Sequence, residues 1–87
     1  MTPHVRLAKG ITVTTIEGKR VLFSVRTGET YGLNETAAAF LEEAMAADLE
    51  SAAQKCAARF DAPLDEIRTD MRALMGELTG LKLIEQV

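Results

Sequence analysis

The hydrophobic period of the chain changes at Asn34. Ahead of it, Ile11–Ile16 (ITVTTI) and Arg20–Val25 (RVLFSV) are rich in Val, Ile, Thr and Phe, as half-buried strands are. Between them Glu17-Gly18 offers the positive φ of a tight hairpin. A second turn at Thr27-Gly28 leads to Thr30–Leu33 (TYGL). The pattern predicts a three-stranded antiparallel meander. A two-residue loop at Thr27-Gly28 would set Arg26 opposite Glu29, Phe23 opposite Gly32 and Leu22 opposite Leu33, with apolar side chains on both sheet faces.

Behind Asn34 the chain turns to alanine, leucine and glutamate. Asn34 is a good N-cap for a helix through about Ala46, with Phe40, Leu41 and Ala44 on one stripe. Asp48 caps a second helix, Leu49 to about Phe60, whose apolar face is Ala52, Ala53, Cys56 and Phe60. The alanines from Ala37 to Ala62 predict close packing of these two helices. Pro63 suits the first turn of a third helix, with Asp65 and Glu66 favourably placed for its dipole. Its core face is read as Ile67, Met71, Leu74 and Leu78, and Gly80 as the residue just past its end. Leu81, Leu83 and Ile84 return the chain apolar side inward. Strands followed by helices make an α+β domain.

Two features stand out as candidate binding surfaces. Thr30–Leu33 is an edge of the meander with no Pro, Lys or bulge to block it, so an extended peptide can add there as a further strand. Beside it, the third helix carries a second stripe of Leu64, Arg68, Met71, Arg72 and Met75, in which the flexible methionines would suit either an adaptable peptide groove or a small core. If they line a groove, Met75→Asp weakens peptide binding and leaves thermal unfolding nearly unchanged.

Composition narrows the field. A chain of 87 residues with 47% hydrophobic and 26% charged residues suits a single domain over 1–87, with residues 1–9 read as a flexible tail. The net charge of −3 argues against a general nucleic-acid or anionic-membrane binder. No apolar run approaches the roughly 18–20 residues of a membrane span. Met1–Gly10 has no apolar signal-peptide core, so a soluble cytoplasmic protein is expected. A lone Cys56 and a lone His4 provide no internal disulfide and no His/Cys metal cluster. Cys56, inside an apolar stripe, reads as a buried inert thiol. With no phosphate loop, nucleophile elbow or zinc spacing, the expectation is a protein that is not an enzyme and holds no cofactor.

At Tyr31–Phe40 (YGLNETAAAF) and Ala58–Glu85 (ARFDAPLDEIRTDMRALMGELTGLKLIE) the chain resembles the PqqD-like family, peptide-recognition domains of ribosomally made, post-translationally modified peptide (RiPP) pathways. The resemblance runs from Ile11 onward. It rests on Leu33-Asn34 with Thr36-Ala37, the helix pair, Asp70 and the closing Gly80-Leu81. Thr27-Gly28-x-x-Tyr31-x-Leu33-Asn34 is most similar to the stand-alone members of lasso peptide gene clusters. The resemblance implies a winged helix-turn-helix-like fold, three strands followed by three helices. It also implies recognition of a precursor's leader segment, added as a strand and lying against the third helix. Thr30, Tyr31, Gly32 and Leu33 would then supply backbone bonds and flanking pockets, with Arg68, Met71, Arg72 and Met75 as the opposite wall. The implied partner is a separate leader peptidase or modifying enzyme, to which tethering would raise the local substrate concentration. Two other readings stand beside it: a pyrroloquinoline quinone-type peptide chaperone for a radical enzyme, and a winged-helix DNA-binding regulator. The second needs a basic recognition helix, for which Lys55 and Arg59, or Arg68 and Arg72, are too few among their acidic neighbours. The apolar residues on both sheet faces suit a monomer with a docking surface or a weak dimer.

Overall fold

The computed structural model describes residues 5–86, and His4 lies outside them. Glu17 (φ 52°) and Gly18 (φ 81°) form the two-residue turn that joins β2 (Ile11–Ile16) to β3 (Lys19–Ser24). Positive φ at both positions is the mirror-image turn that matches strand twist. β4 (Thr30–Leu33) pairs antiparallel with the other side of β3, giving the sheet order β2-β3-β4.

The second hairpin is wider than the sequence suggested. The Gly28 N–H donates to the Ser24 carbonyl at 2.8 Å and the Ser24 N–H donates to the Glu29 carbonyl at 2.9 Å, so the loop is Val25–Gly28. Phe23 therefore pairs with Thr30, Leu22 with Tyr31, Val21 with Gly32 and Arg20 with Leu33. Each pairing is displaced by two residues, and Arg26 lies within the loop instead of opposite Glu29. Because the side-chain period is two, this displacement leaves every residue on its expected face. Leu22 and Leu33 are buried on the helix side. On that same face Arg20 pairs with Glu42 of α1 (Glu35–Ala46).

α1 starts where the Asn34 Oδ1 accepts the Ala37 N–H at 2.7 Å. α2 (Leu49–Phe60) starts where the Asp48 Oδ1 accepts the Ser51 N–H at 2.8 Å, and this bond holds the Asp48 carboxyl below its usual range. Pro63 stands at the N-cap of α3 (Leu64–Gly80), ahead of its first turn. α2 and α3 end alike. Ala62 N–H reaches the Ala57 carbonyl, and Leu83 N–H the Leu78 carbonyl, both at 3.0 Å. The left-handed residue of each cap is Asp61 (φ 50°) or Lys82 (φ 62°). Gly80, expected in that role after α3, is still helical.

Two further strands were not anticipated. β1 (Val5–Leu7), inside the segment read as a tail, pairs antiparallel with β5 (Ile84–Gln86). Arg6 and Glu85 reinforce the pair at 3.1 Å. Val5 and Ile84 thereby close the core, which is otherwise built from Leu22, Leu33, Phe40, Leu41, the α2 alanines, Cys56, Ile67, Met71, Met75 and Leu78. Small residues bring α1 and α2 together: the Cys56 Sγ lies 4.0 Å from the Ala39 carbonyl oxygen. Burial pushes the Cys56 thiol up, as an inert cysteine requires. Phe60 of α2 meets Phe40 edge-on, with ring centroids 6.3 Å apart.

Candidate functional site

β4 is an edge, hydrogen-bonded within the sheet to β3 alone. Residues of an antiparallel pair that exchange both backbone bonds alternate with residues whose N–H and C=O point away. The Ser24–Glu29 bond fixes that alternation: Tyr31 and Leu33 bond toward β3, and Thr30 and Gly32 turn their backbone groups to the open edge. Among the four β4 residues named from the sequence, these two carry the free ladder. Tyr31 and Leu33 send their side chains to the helix side, where Leu33 is buried and Tyr31 half-buried.

Facing that edge is α3, and one contact shows which of its faces does so. The Tyr31 hydroxyl donates to Glu77 Oε2 at 2.6 Å. This bond, with the negative charge behind it, raises the Tyr31 phenol above its usual range. On a helix, Asp70, Leu74 and Leu81 share the stripe of Glu77. Leu74 is half-buried and Leu81 is 51% exposed. Leu81 thus does not return to the core as expected. It lines a cleft of about 520 Å³ with Thr30, Tyr31 and Leu83.

The expected helix wall divides differently. Met71 and Met75 are 0% and 1% exposed, and they belong to the core beside Ile67 and Leu78. Arg68 is bound elsewhere. Its Nε and Nη2 donate to the two Glu50 carboxylate oxygens of α2 at 2.8 and 2.7 Å, and its Nη1 donates to Asp65 at 2.8 Å. The guanidinium holds Glu50 below its usual range, helped by Gln54, and the carboxylates raise Arg68. Arg72 is exposed one turn on, near enough to act on Glu50. Arg68 and Arg72 thus flank α2, while Leu74, Glu77 and Leu81 flank β4. The sequence reading puts Leu74 in the core, against which it does pack while staying half-buried, turns Leu81 inward and names no role for Glu77. The seven-residue spacing of Leu74 and Leu81, bracketing a carboxylate, was the available signal.

For a DNA-reading helix, the basic groups are poorly placed. Arg68 is neutralised by two carboxylates, and the Arg59 guanidinium lies 5.6 Å from the Phe60 ring centre. Among the described residues no helix is long and apolar enough to cross a membrane.

Residues 19–84 match the family model described as coenzyme PQQ synthesis protein D (PqqD). No curated protein sequence matches the chain. Among solved structures, a lasso peptide synthetase B1 complexed with the leader peptide superposes with a TM-score of 0.87 at 24% identity, covering 94% of this chain and 98% of that one. TbiB1 in complex with the TbiA(beta) leader peptide gives 0.82 at 17% identity, over 92% and 94%. The solution structure of the PqqD truncation of Methylobacterium extorquens PqqCD, a stand-alone RiPP recognition element, gives 0.76 at 24% identity, over 95% and 89%. These likenesses confirm the α+β fold of a three-stranded sheet followed by three helices.

Proposed function

We propose, because the chain belongs to the PqqD family, that it is a non-catalytic binder of the leader segment of a ribosomal precursor peptide. The leader adds to β4 as a fourth strand of the sheet and lies against α3. The domain hands it to a separate leader peptidase or modifying enzyme, in a lasso peptide pathway. The observation that carries this reading is the open edge of β4, with the backbone groups of Thr30 and Gly32 turned outward and the Leu74–Glu77–Leu81 stripe of α3 alongside. One of the structurally similar proteins is a lasso peptide synthetase B1 complexed with the leader peptide, and its TM-score of 0.87 exceeds the 0.76 of the PqqD truncation, which supports the lasso pathway over the pyrroloquinoline quinone one. The domain spans residues 1–87, and its cytoplasmic working place follows from the pathway.

Of the wall named from the sequence, this reading keeps no side chain as a direct contact: Arg72 lies toward Glu50 of α2, on the far side of α3 from β4. Met71 and Met75 support the wall from beneath, and Arg68 holds α3 against α2.

The test is a titration of the isotopically labelled domain with synthetic N-terminal halves of short reading frames encoded beside it. Saturable shifts are expected at Thr30–Leu33, Leu74, Glu77 and Leu81. Gly32→Pro removes an N–H that serves no partner strand within the sheet, so the fold tolerates it. It is expected to weaken binding by about ten- to a hundredfold through the lost ladder bonds. Saturable binding that ignores Gly32→Pro, or shifts confined to another face, would rule out strand addition.

A further inference from the structure

At the Thr30 end of β4 the cleft changes character. Lys9, Arg26 and Lys82 line both the 520 Å³ cleft beside Thr30 and Tyr31 and an adjoining one of about 470 Å³ that runs on to Gln86. The three cations come from three separate segments: the β1–β2 turn, the β3–β4 loop and the end of α3. None of them has an ion-pair partner among the described residues, whereas Arg6, Arg20 and Arg68 all do. The carboxylates nearby do not cancel them. Glu85 is engaged by Arg6 and Glu77 by the Tyr31 hydroxyl, and with Glu29 in the cleft lining the three positive charges still exceed the two carboxylates that no cation engages. In a chain of net charge −3, this is a local reversal of sign.

The backbone holds these cations in place. Gly10 has φ +86°, and the Arg26 side chain lies so near that a Cβ on Gly10 would stand 3.2 Å from its Cγ and Cδ. The Val25 N–H donates to the Gly10 carbonyl at 2.9 Å, which ties the Arg26 loop to the turn that bears Lys9. Lys82 occupies a left-handed position where glycine is the comfortable residue. Its ammonium partly offsets the negative end of α3, but a helix end does not need three cations.

We propose that this cleft binds a carboxylate-bearing stretch of the peptide immediately beyond the strand that adds to β4. The inference rests on the strand-addition reading and deepens it by naming the chemistry of the flanking residues. β2, β3 and β4 pair antiparallel throughout, and a peptide continuing that pattern runs from Leu33 toward Thr30. The acidic residues then follow the strand-forming residues, within one or two side chains of its end. Three cations on separate segments suit two neighbouring Asp or Glu side chains better than one, and the exposed Leu81 beside them accepts an apolar neighbour.

The test is a phage-display selection from random 16-residue peptides on the wild-type protein and on the Lys9→Gln/Arg26→Gln/Lys82→Gln variant. All three side chains leave the core untouched, and an unchanged Tm confirms that the variant is folded. Wild type is expected to enrich apolar strand-forming peptides with Asp or Glu at a fixed offset on the C-terminal side. The variant is expected to retain the apolar pattern and lose the acidic one. A peptide from the wild-type selection should bind the triple variant about tenfold more weakly, with most of the difference erased in high salt. Lys82→Gly alone should raise Tm while weakening that peptide. Apolar peptides without acidic bias would overturn the cationic cleft and leave strand addition intact. Failure to enrich extended peptides at all, or enrichment indifferent to Gly32→Pro, would overturn both. Duplex DNA binding that depends on these three cations, with peptide selection unaffected, would assign the cleft to nucleic acid instead.

Discussion

α3 makes two contrasting junctions. Toward α2 it is clamped by the bidentate Arg68–Glu50 pair, with Asp65 in support and Ile67, Met71 and Met75 packed beneath. Toward β4 it is held by one side-chain hydrogen bond, Tyr31 to Glu77, over a seam with an open strand edge. Buried apolar area and bonded charge concentrate on the first side. Unsatisfied backbone, an exposed leucine and unpaired cations concentrate on the second. The same helix therefore serves as a pillar on one face and as a wall of a groove on the other. A substitution should act on stability or on peptide binding according to the face it touches.

Met75 gives the largest effect. At 1% exposure it is part of the pillar, so Met75→Asp buries a carboxylate without a partner and is expected to unfold the domain. Met75→Ala, which leaves only a cavity, should cost about 2–5 kcal/mol by urea denaturation. This reverses what Met75 in a groove would predict, namely lost binding with unchanged unfolding. A folded Met75→Asp protein with normal Tm would place Met75 in the groove after all. On the other face, Leu81→Ser should leave Tm within a few degrees of wild type and weaken peptide binding about three- to tenfold. Equal loss of stability and binding at Leu81 would dissolve the distinction between the two faces.

That distinction was only half legible in the sequence. The helix starts were readable because Asn34 and Asp48 carry the capping oxygens themselves. Thr30–Leu33 was readable as an edge because its neighbours along the chain mark a meander. The faces of α3 were harder. Leu74 and Met75 lie about 100° apart on the helix, and both extend an apolar stripe through Met71. Which of them is buried depends on where α2 packs, and α2 is fixed by Glu50 and by alanines more than a dozen residues away. Loop length failed for a related reason. Thr27-Gly28 reads as a tight turn, yet the closing bonds are made by the backbone of Ser24, which leaves no residue signature. β1 and β5 are three residues each, and their pairing joins opposite ends of the chain, beyond the reach of local pattern.

Acid should separate the junctions further. Glu50 is held below its usual range by Arg68, and Asp48 by the Ser51 N–H. Both carboxylates are harder to protonate in the folded chain than in the unfolded one. They therefore stabilise the fold at neutral pH, and that contribution is lost as pH falls from about 4.5 through their lower folded values. Tm measured from pH 7 to pH 3 should drop, and Glu50→Gln should lower Tm at pH 7 but little at pH 3. A constant gap between wild type and Glu50→Gln across that range would show that the charge of the clamp contributes nothing.

The smallest effect is expected at the bond that spans the seam. Tyr31 donates to Glu77 at the surface, where water competes for both groups, so Tyr31→Phe should leave Tm nearly unchanged. Its consequence lies in access. The bond crosses from β4 to α3, so a peptide that lies against both is expected to break it on entry. Phenylalanine keeps the ring on the helix side of the sheet and removes the closure, so binding should tighten about two- to threefold, mainly through a faster on-rate. Glu77→Gln weakens the same closure without emptying the space and should move affinity the same way by less. If both substitutions instead weaken binding, Tyr31 and Glu77 grip the peptide, and the seam is a preformed part of the site instead of a latch across it.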